Sequence, residues 1–153
     1  MPLNERITSV DEFRAWTDKI PLRYQYTAGV AGEKFLRGLQ DGKILAAKCA
    51  KCGKSYLPPK MYCVDCFVPI SVYYEVGPEG RVGALTESHV DFHGNKLPSP
   101  VSIAFITFKG VTGGLIHRID GEGLRIGTKV VPKFVPRSAR KGSLLDIEKF
   151  VSV

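Results

Sequence analysis

All four cysteines of the chain fall in two C-x-x-C pairs, Cys49-Ala50-Lys51-Cys52 and Cys63-Val64-Asp65-Cys66. This pattern constrains the fold more than any other feature. Each pair can wrap two thiolates onto one ion, and the short segment between the pairs brings the second pair round to complete a tetrahedron. Gly53 follows the first pair, where the chain must turn sharply and a positive φ costs glycine nothing. Phe67 stands at the matching place after the second pair, so the first knuckle alone is expected to carry the full turn chemistry. Pro58 and Pro59 stiffen the loop between them. Two disulfides or four inert thiols are the competing reading, and paired C-x-x-C with no further cysteine argues for metal. Zinc fits the pattern, and iron in a rubredoxin-like site uses the same four thiolates. Four thiolates leave no open coordination position, so the ion is structural rather than catalytic. Its binding supplies folding free energy to a segment too small to bury a core of its own.

The 153 residues suit one compact domain or two small ones, and 44% apolar with 24% charged residues is the balance of a folded soluble protein. No apolar run approaches the length of a membrane span, and Met1-Pro2-Leu3-Asn4-Glu5-Arg6 lacks the apolar core of a secretory signal. Thiolates that must stay reduced argue for the cytoplasm. The net charge of +7 favours anionic partners, whether nucleic acid, a phosphorylated cofactor or an acidic protein surface.

Three segments follow: residues 1–42, helical; 43–71, the ribbon; and 72–153, β-rich. Ser9-Val10-Asp11-Glu12 reads as a capping box that opens a helix with Phe13, Trp16 and Ile20 on one stripe, closed by Pro21. That helix suits either its own protein or a partner chain. A second helix is expected over Glu33 to Gln40, after a loop through Ala28-Gly32 and capped by Gly42. Lys43 to Lys48 and Lys54 to Leu57 then read as the antiparallel strands of the first knuckle. From Val72 on, helical periodicity gives way to β-rich runs between turns. Five strands are expected: Arg81 to Val90, Val101 to Phe108, Gly113 to Ile119, Thr128 to Val135 and Leu144 to Val151. Five short strands in this length suit a small closed barrel, most simply an OB-fold. The expected class is therefore mainly β with N-terminal helices (α+β): two helices, a zinc ribbon and a five-stranded OB-fold barrel.

Val101 to Phe108 is apolar on both faces. Ala104, Ile106 and Phe108 share one and Val101, Ile103 and Phe105 the other, so one face enters the core and the other needs a cover. The cover can be the N-terminal helices, a partner or an acyl chain. Lys129, Lys133, Arg137, Arg140 and Lys141 form a basic run with no acid between Gly127 and Leu145. A solvated loop explains such a run, and so does a phosphate clamp, since arginine forks match phosphate oxygens. His89, Asp91 and His93 would share one face if fully extended, although the turn-rich residues beyond them argue against it. His117 reads as a packed strand residue. Neither a nucleophile elbow, a phosphate-binding loop nor a dinucleotide fingerprint is present.

Phe35-Leu36-Arg37-Gly38-Leu39-Gln40-Asp41-Gly42-Lys43-Ile44 leading into Cys49-x-x-Cys52-Gly53, Pro58-Pro59 and Cys63-x-x-Cys66 resembles the acyl-CoA-associated zinc-ribbon/OB-fold family. Gly80-Arg81-Val82, Pro100 to Ala104 and Leu124 to Val130 extend the resemblance through most of the chain. Val64-Asp65 departs from it, because a proline usually follows the first cysteine of the second knuckle. Members of that family accompany thiolases and hydroxymethylglutaryl-CoA synthases. The resemblance implies a helical hairpin, a rubredoxin-like zinc ribbon and an OB-fold barrel, and a non-catalytic accessory or scaffold protein with a structural zinc site that binds acyl-CoA beside such an enzyme. Lys133, Arg137, Arg140 and Lys141 are the residues expected to hold the CoA phosphates. A nucleic-acid-binding ribbon/OB module is the alternative. Against it, the strands lack aromatics interleaved with basic residues.

Overall fold

The computed structural model describes residues 26–91 and 93–153. The helix expected over Ser9 to Ile20 lies outside them, so the two-helix hairpin is not established. Helix α1 spans Gly29–Gln40, four residues longer at its start than the sequence suggested. The added turn holds Ala31, which is buried at 3% exposure, so packing outweighs the poor helix propensity of Gly29 and Gly32. Phe35 and Leu39 share the buried face, and Gly42 ends the helix at φ +79° as expected.

Strands β1 (Leu45–Lys48) and β2 (Ser55–Leu57) flank the first knuckle and pair antiparallel, Ala47 opposite Tyr56. Two further strands join them from residues expected to belong to the barrel. Strand β3 (Val72–Glu75) pairs antiparallel with β1. The remaining strands are β4 (Gly80–Val90), β5 (Lys96–Phe108), β6 (Thr112–Gly113), β7 (Leu115–Asp120), β8 (Lys129–Phe134) and β9 (Ile147–Ser152). Two-residue β6 runs parallel to β2, giving a four-stranded sheet in the order β3-β1-β2-β6, while the other five strands close into a barrel, β4-β5-β7-β9-β8. The third expected strand therefore starts at Leu115, because Gly113 is claimed by the ribbon sheet. The fifth starts at Ile147, because Leu144–Asp146 forms a 3-10 turn instead.

The ribbon sheet is buried on both sides, and its alternation shows how. Ala46 and Leu57 belong to one cluster with Phe35, Leu39, Val82, Ile106, Ile119, Val130 and Phe150, so this face of the sheet continues the barrel core. Ala47 and Tyr56 point the other way and pack with Cys49, Cys63 and Ile70 around the knuckles. The period of two sends successive residues to two different cores.

Two glycines join the bodies. A Cβ on Gly113, at φ +93°, would lie 2.2 Å from the Leu57 carbonyl oxygen, and one on Gly114 would lie 2.2 Å from that of Ile106. Only glycine lets β5, β6 and β2 approach this closely. The Gly114 amide then donates to Leu57 O at 2.8 Å. A second tie comes from Arg140. Its Nε donates to Val135 O at 2.9 Å, its Nη1 reaches Gln40 O at the helix end at 3.5 Å, and its guanidinium lies over the Phe134 ring.

Candidate metal centre and barrel groove

Each knuckle turns through one tight hydrogen bond: Gly53 N–H donates to Cys49 O at 2.9 Å and Phe67 N–H to Cys63 O at 3.0 Å. Phe67 adopts φ +54°, so the second knuckle makes the same turn as the first without a glycine. The left-handed conformation costs a bulky residue about 1–2 kcal/mol.

The turns bring all four sulfurs within 4.8 Å of one another, and none is in a disulfide. Cys52 Sγ and Cys63 Sγ are 3.6 Å apart. A tetrahedron with metal–sulfur bonds of ~2.3 Å has edges of ~3.8 Å, so the spacing fits a four-thiolate ion. Cys49 and Cys63 are buried, Cys66 is half-buried and Cys52 is exposed, which leaves one open side for an ion to enter. Among the described residues this is the one cluster of metal-ligating groups.

The thiols are not equivalent. A hydrogen bond with the Tyr56 hydroxyl, helped by the Cys66 and Asp65 amides, outweighs burial and holds Cys63 down at about 6. Its hydrogen bond with Cys52 and its burial push Cys66 up to about 12. Four adjacent sulfurs cannot all ionise without a cation, so loading must release protons. Asp65 is held below the usual carboxylate range by Lys54 first and Tyr56 second.

The basic run is less uniform than its sequence. Lys129 Nζ pairs with Glu79 at 3.1 Å and Lys133 Nζ with Glu148 at 3.1 Å, both acids lying outside the run. Arg140 is spent on backbone carbonyls. The loop folds around Asp146, 3% exposed, whose carboxylate accepts from the amides of Lys141, Gly142 and Ser143. Sequence reasoning missed Asp146, although Ser143 and Asp146 form a capping box that could have marked it. Arg137 and Lys141 remain, with no ion pair among the described residues.

Val135 and Leu145, at the two ends of that loop, form one wall of a groove of about 470 Å³ completed by Ile103, Ile116, His117, Arg118, Ile147 and Glu148. Ile116 and Leu145 are 71% and 79% exposed. Of the two faces of β5, Ala104, Ile106 and Phe108 enter the core, and Ile103 and Phe105 lie half-buried on the outside. His117 Nε2 lies 3.2 Å from Leu144 O and its ring packs on Phe150, as a strand residue should. The face imagined for His89, Asp91 and His93 is not built. The Asp91 carboxylate turns back to accept from the amides of His93 and Asn95 and from Asn95 Nδ2, closing the β4–β5 turn.

Residues 37–70 match the family described as the ChsH2 rubredoxin-like zinc ribbon domain. A crystal structure of a protein of unknown function from the DUF35 family of Sulfolobus solfataricus is 34% identical, covering 82% of this chain and 87% of its own, with a TM-score of 0.68. A chain of the Ltp2-ChsH2(DUF35) aldolase is 18% identical over 78% of this chain and 91% of its own, TM-score 0.59, a likeness of fold. No curated protein matches the chain.

Proposed function

The chain belongs to the DUF35 family, and from that premise we propose that it is a non-catalytic accessory subunit of a thiolase or hydroxymethylglutaryl-CoA synthase type enzyme. It binds acyl-CoA on the barrel, and its four cysteines hold a structural zinc ion. The N-terminal segment, residues 1–42, and the ribbon, 43–71, serve as the docking and folding platform, and the barrel, 72–153, carries the ligand. The Ltp2-ChsH2(DUF35) aldolase supports the pairing, since a protein of this fold is there part of an enzyme assembly. Zinc is preferred to iron on the zinc-ribbon match over residues 37–70.

One observation carries the acyl-CoA reading. The apolar groove shares a wall with the loop that holds Arg137 and Lys141. A pantetheine arm or acyl chain suits the groove, and phosphates suit the cations beside it. Arg137 and Lys141 are the primary phosphate ligands in this reading. Lys133 joins them by leaving its exposed pair with Glu148, and Arg140 holds the loop in place.

The test is calorimetric titration of the metal-loaded protein with acetyl-CoA, dephospho-CoA and an oligonucleotide. Acetyl-CoA binds, and Arg137→Glu weakens it roughly tenfold, the loss of one charge-assisted hydrogen bond. Binding of the oligonucleotide alone, with steep salt dependence, would replace this reading by a nucleic-acid one.

A further inference from the structure

Behind the sulfurs runs a line of side chains from the buried thiolate to the surface. Tyr56, at the centre of β2, is 2% exposed. Its hydroxyl lies 3.3 Å from Cys63 Sγ and donates to Asp65 Oδ2 at 3.0 Å. Asp65 lies inside the second C-x-x-C pair, and its carboxylate also meets Lys54 Nζ at 3.0 Å. Tyr56 and Lys54 both belong to the segment leaving the first knuckle. The two halves of the thiolate tetrahedron are therefore bridged by side chains as well as by an ion.

We propose that Tyr56 is a positioning residue of the metal centre: held by Asp65, its one hydroxyl proton is shared between Asp65 Oδ2 and the metal-bound Cys63 sulfur, and the share on the sulfur slows release of the ion. The chemistry of the contact fixes the direction. A metal-bound thiolate carries no proton, so in the loaded centre the hydroxyl is the one group of this pair able to donate. Cys63 is 1% exposed, so water does not supply the bond instead. Lys54 draws on the Asp65 charge, which leaves the Tyr56 proton shared with the sulfur rather than captured by the carboxylate. The same bridge accounts for the departure at Val64-Asp65. The stiffness a proline would lend the second knuckle is supplied by a side chain anchored on the first. Outer hydrogen bonds of this kind typically change metal affinity by about 10–100-fold.

The experiment uses the full-length, zinc-loaded chain. Zinc transfer to excess chromophoric chelator is followed at a temperature where circular dichroism shows wild type and variants fully folded. Tyr56→Phe keeps the ring in the core and removes only the hydroxyl, and it releases zinc roughly tenfold faster. Asp65→Asn, at a side chain 44% exposed, replaces the charged competitor for the Tyr56 proton by a neutral acceptor, so the proton moves toward the sulfur and release is no faster than wild type. Cobalt substituted at the site separates bonding from mere loosening. Loss of a hydrogen bond to the thiolate raises the filled sulfur orbitals, so the sulfur-to-cobalt charge-transfer band moves to lower energy in Tyr56→Phe. Release from Tyr56→Phe within twofold of wild type overturns the proposal, and so does faster release with an unmoved band. If Tyr56→Phe does not fold, Asp65→Asn decides: a charge-transfer band at higher energy supports the proposal, and a band unmoved or at lower energy overturns it.

Discussion

Replacing Gly113 by alanine should damage the protein well beyond what a left-handed backbone explains, and Gly110 supplies the matched control. Both residues have positive φ, +93° and +73°. A Cβ at Gly110 meets nothing within 4 Å, whereas one at Gly113 would sit 2.2 Å from a backbone carbonyl oxygen of β2. Gly110→Ala therefore pays only the conformational cost, about 1–2 kcal/mol. Gly113→Ala adds overpacking of a site whose obstacle is backbone and cannot rotate away, about 1–3 kcal/mol more. The total, about 2–5 kcal/mol, is a large share of the ~5–15 kcal/mol that keeps a domain folded. At roughly 2–4 °C per kcal/mol for a chain of this size, Gly113→Ala should melt some 5–15 °C below wild type, against a few degrees for Gly110→Ala. Urea denaturation of the metal-loaded proteins gives the same comparison in free energy. Equal destabilisation of the two variants would refute the idea that β6 is wedged between ribbon and barrel.

Two further outcomes follow from the same packing. Removing the metal with a chelator should lower the melting temperature of the whole chain by roughly 20 °C or more in one transition, because structural zinc is worth ~10 kcal/mol and Leu57 and Ala46 belong to the barrel core; a barrel transition left at its original temperature would contradict this. Asp146→Asn should cost about 2 kcal/mol at pH 7 in urea denaturation. Burial opposes the Asp146 charge, but the amides of Lys141, Ser143 and Gly142 hold its pKa below the ordinary value. The stabilisation is therefore complete above the unfolded pKa of about 3.9 and vanishes as pH falls through the lower folded value. The gap between variant and wild type should accordingly close below about pH 4, and a gap independent of pH would show that the charge is not what matters.

The cysteine spacing reported the four-sulfur cluster because its members are local: each pair lies within one turn of chain. The barrel strands were legible to within a few residues for a similar reason, since alternation and turn residues are short-range signals. What escaped notice is non-local. Strand β6 is two residues long, and Thr112 finds Tyr56 across more than fifty positions, which no period in the sequence records. Reading the basic run by the absence of acids nearby hid the Lys133–Glu148 and Lys129–Glu79 pairs, because strand pairing rather than sequence distance sets which charges meet. Arg140 was read from its charge alone, and its carbonyl partners, Val135 in its own loop and Gln40 a hundred positions away at the helix end, are set by the fold. Phe67 looked like a weaker knuckle because it is not glycine, yet the turn closed by its amide on Cys63 O gives it the same left-handed backbone.

The interleaving of the two sheets bears on how such chains can be recombined. Ribbon and barrel are not beads on a string: the polypeptide leaves the ribbon sheet after β3, builds two barrel strands, returns for β6 and leaves again. A ribbon excised at residue 75 would lose the strand beside β2 and expose Ala46 and Leu57, and the remaining barrel would lose the surface that seals one end of its core. Exchange of ribbons between relatives should therefore succeed only when the Thr112–Gly114 crossing is exchanged with them, so the heritable unit is the interlocked pair.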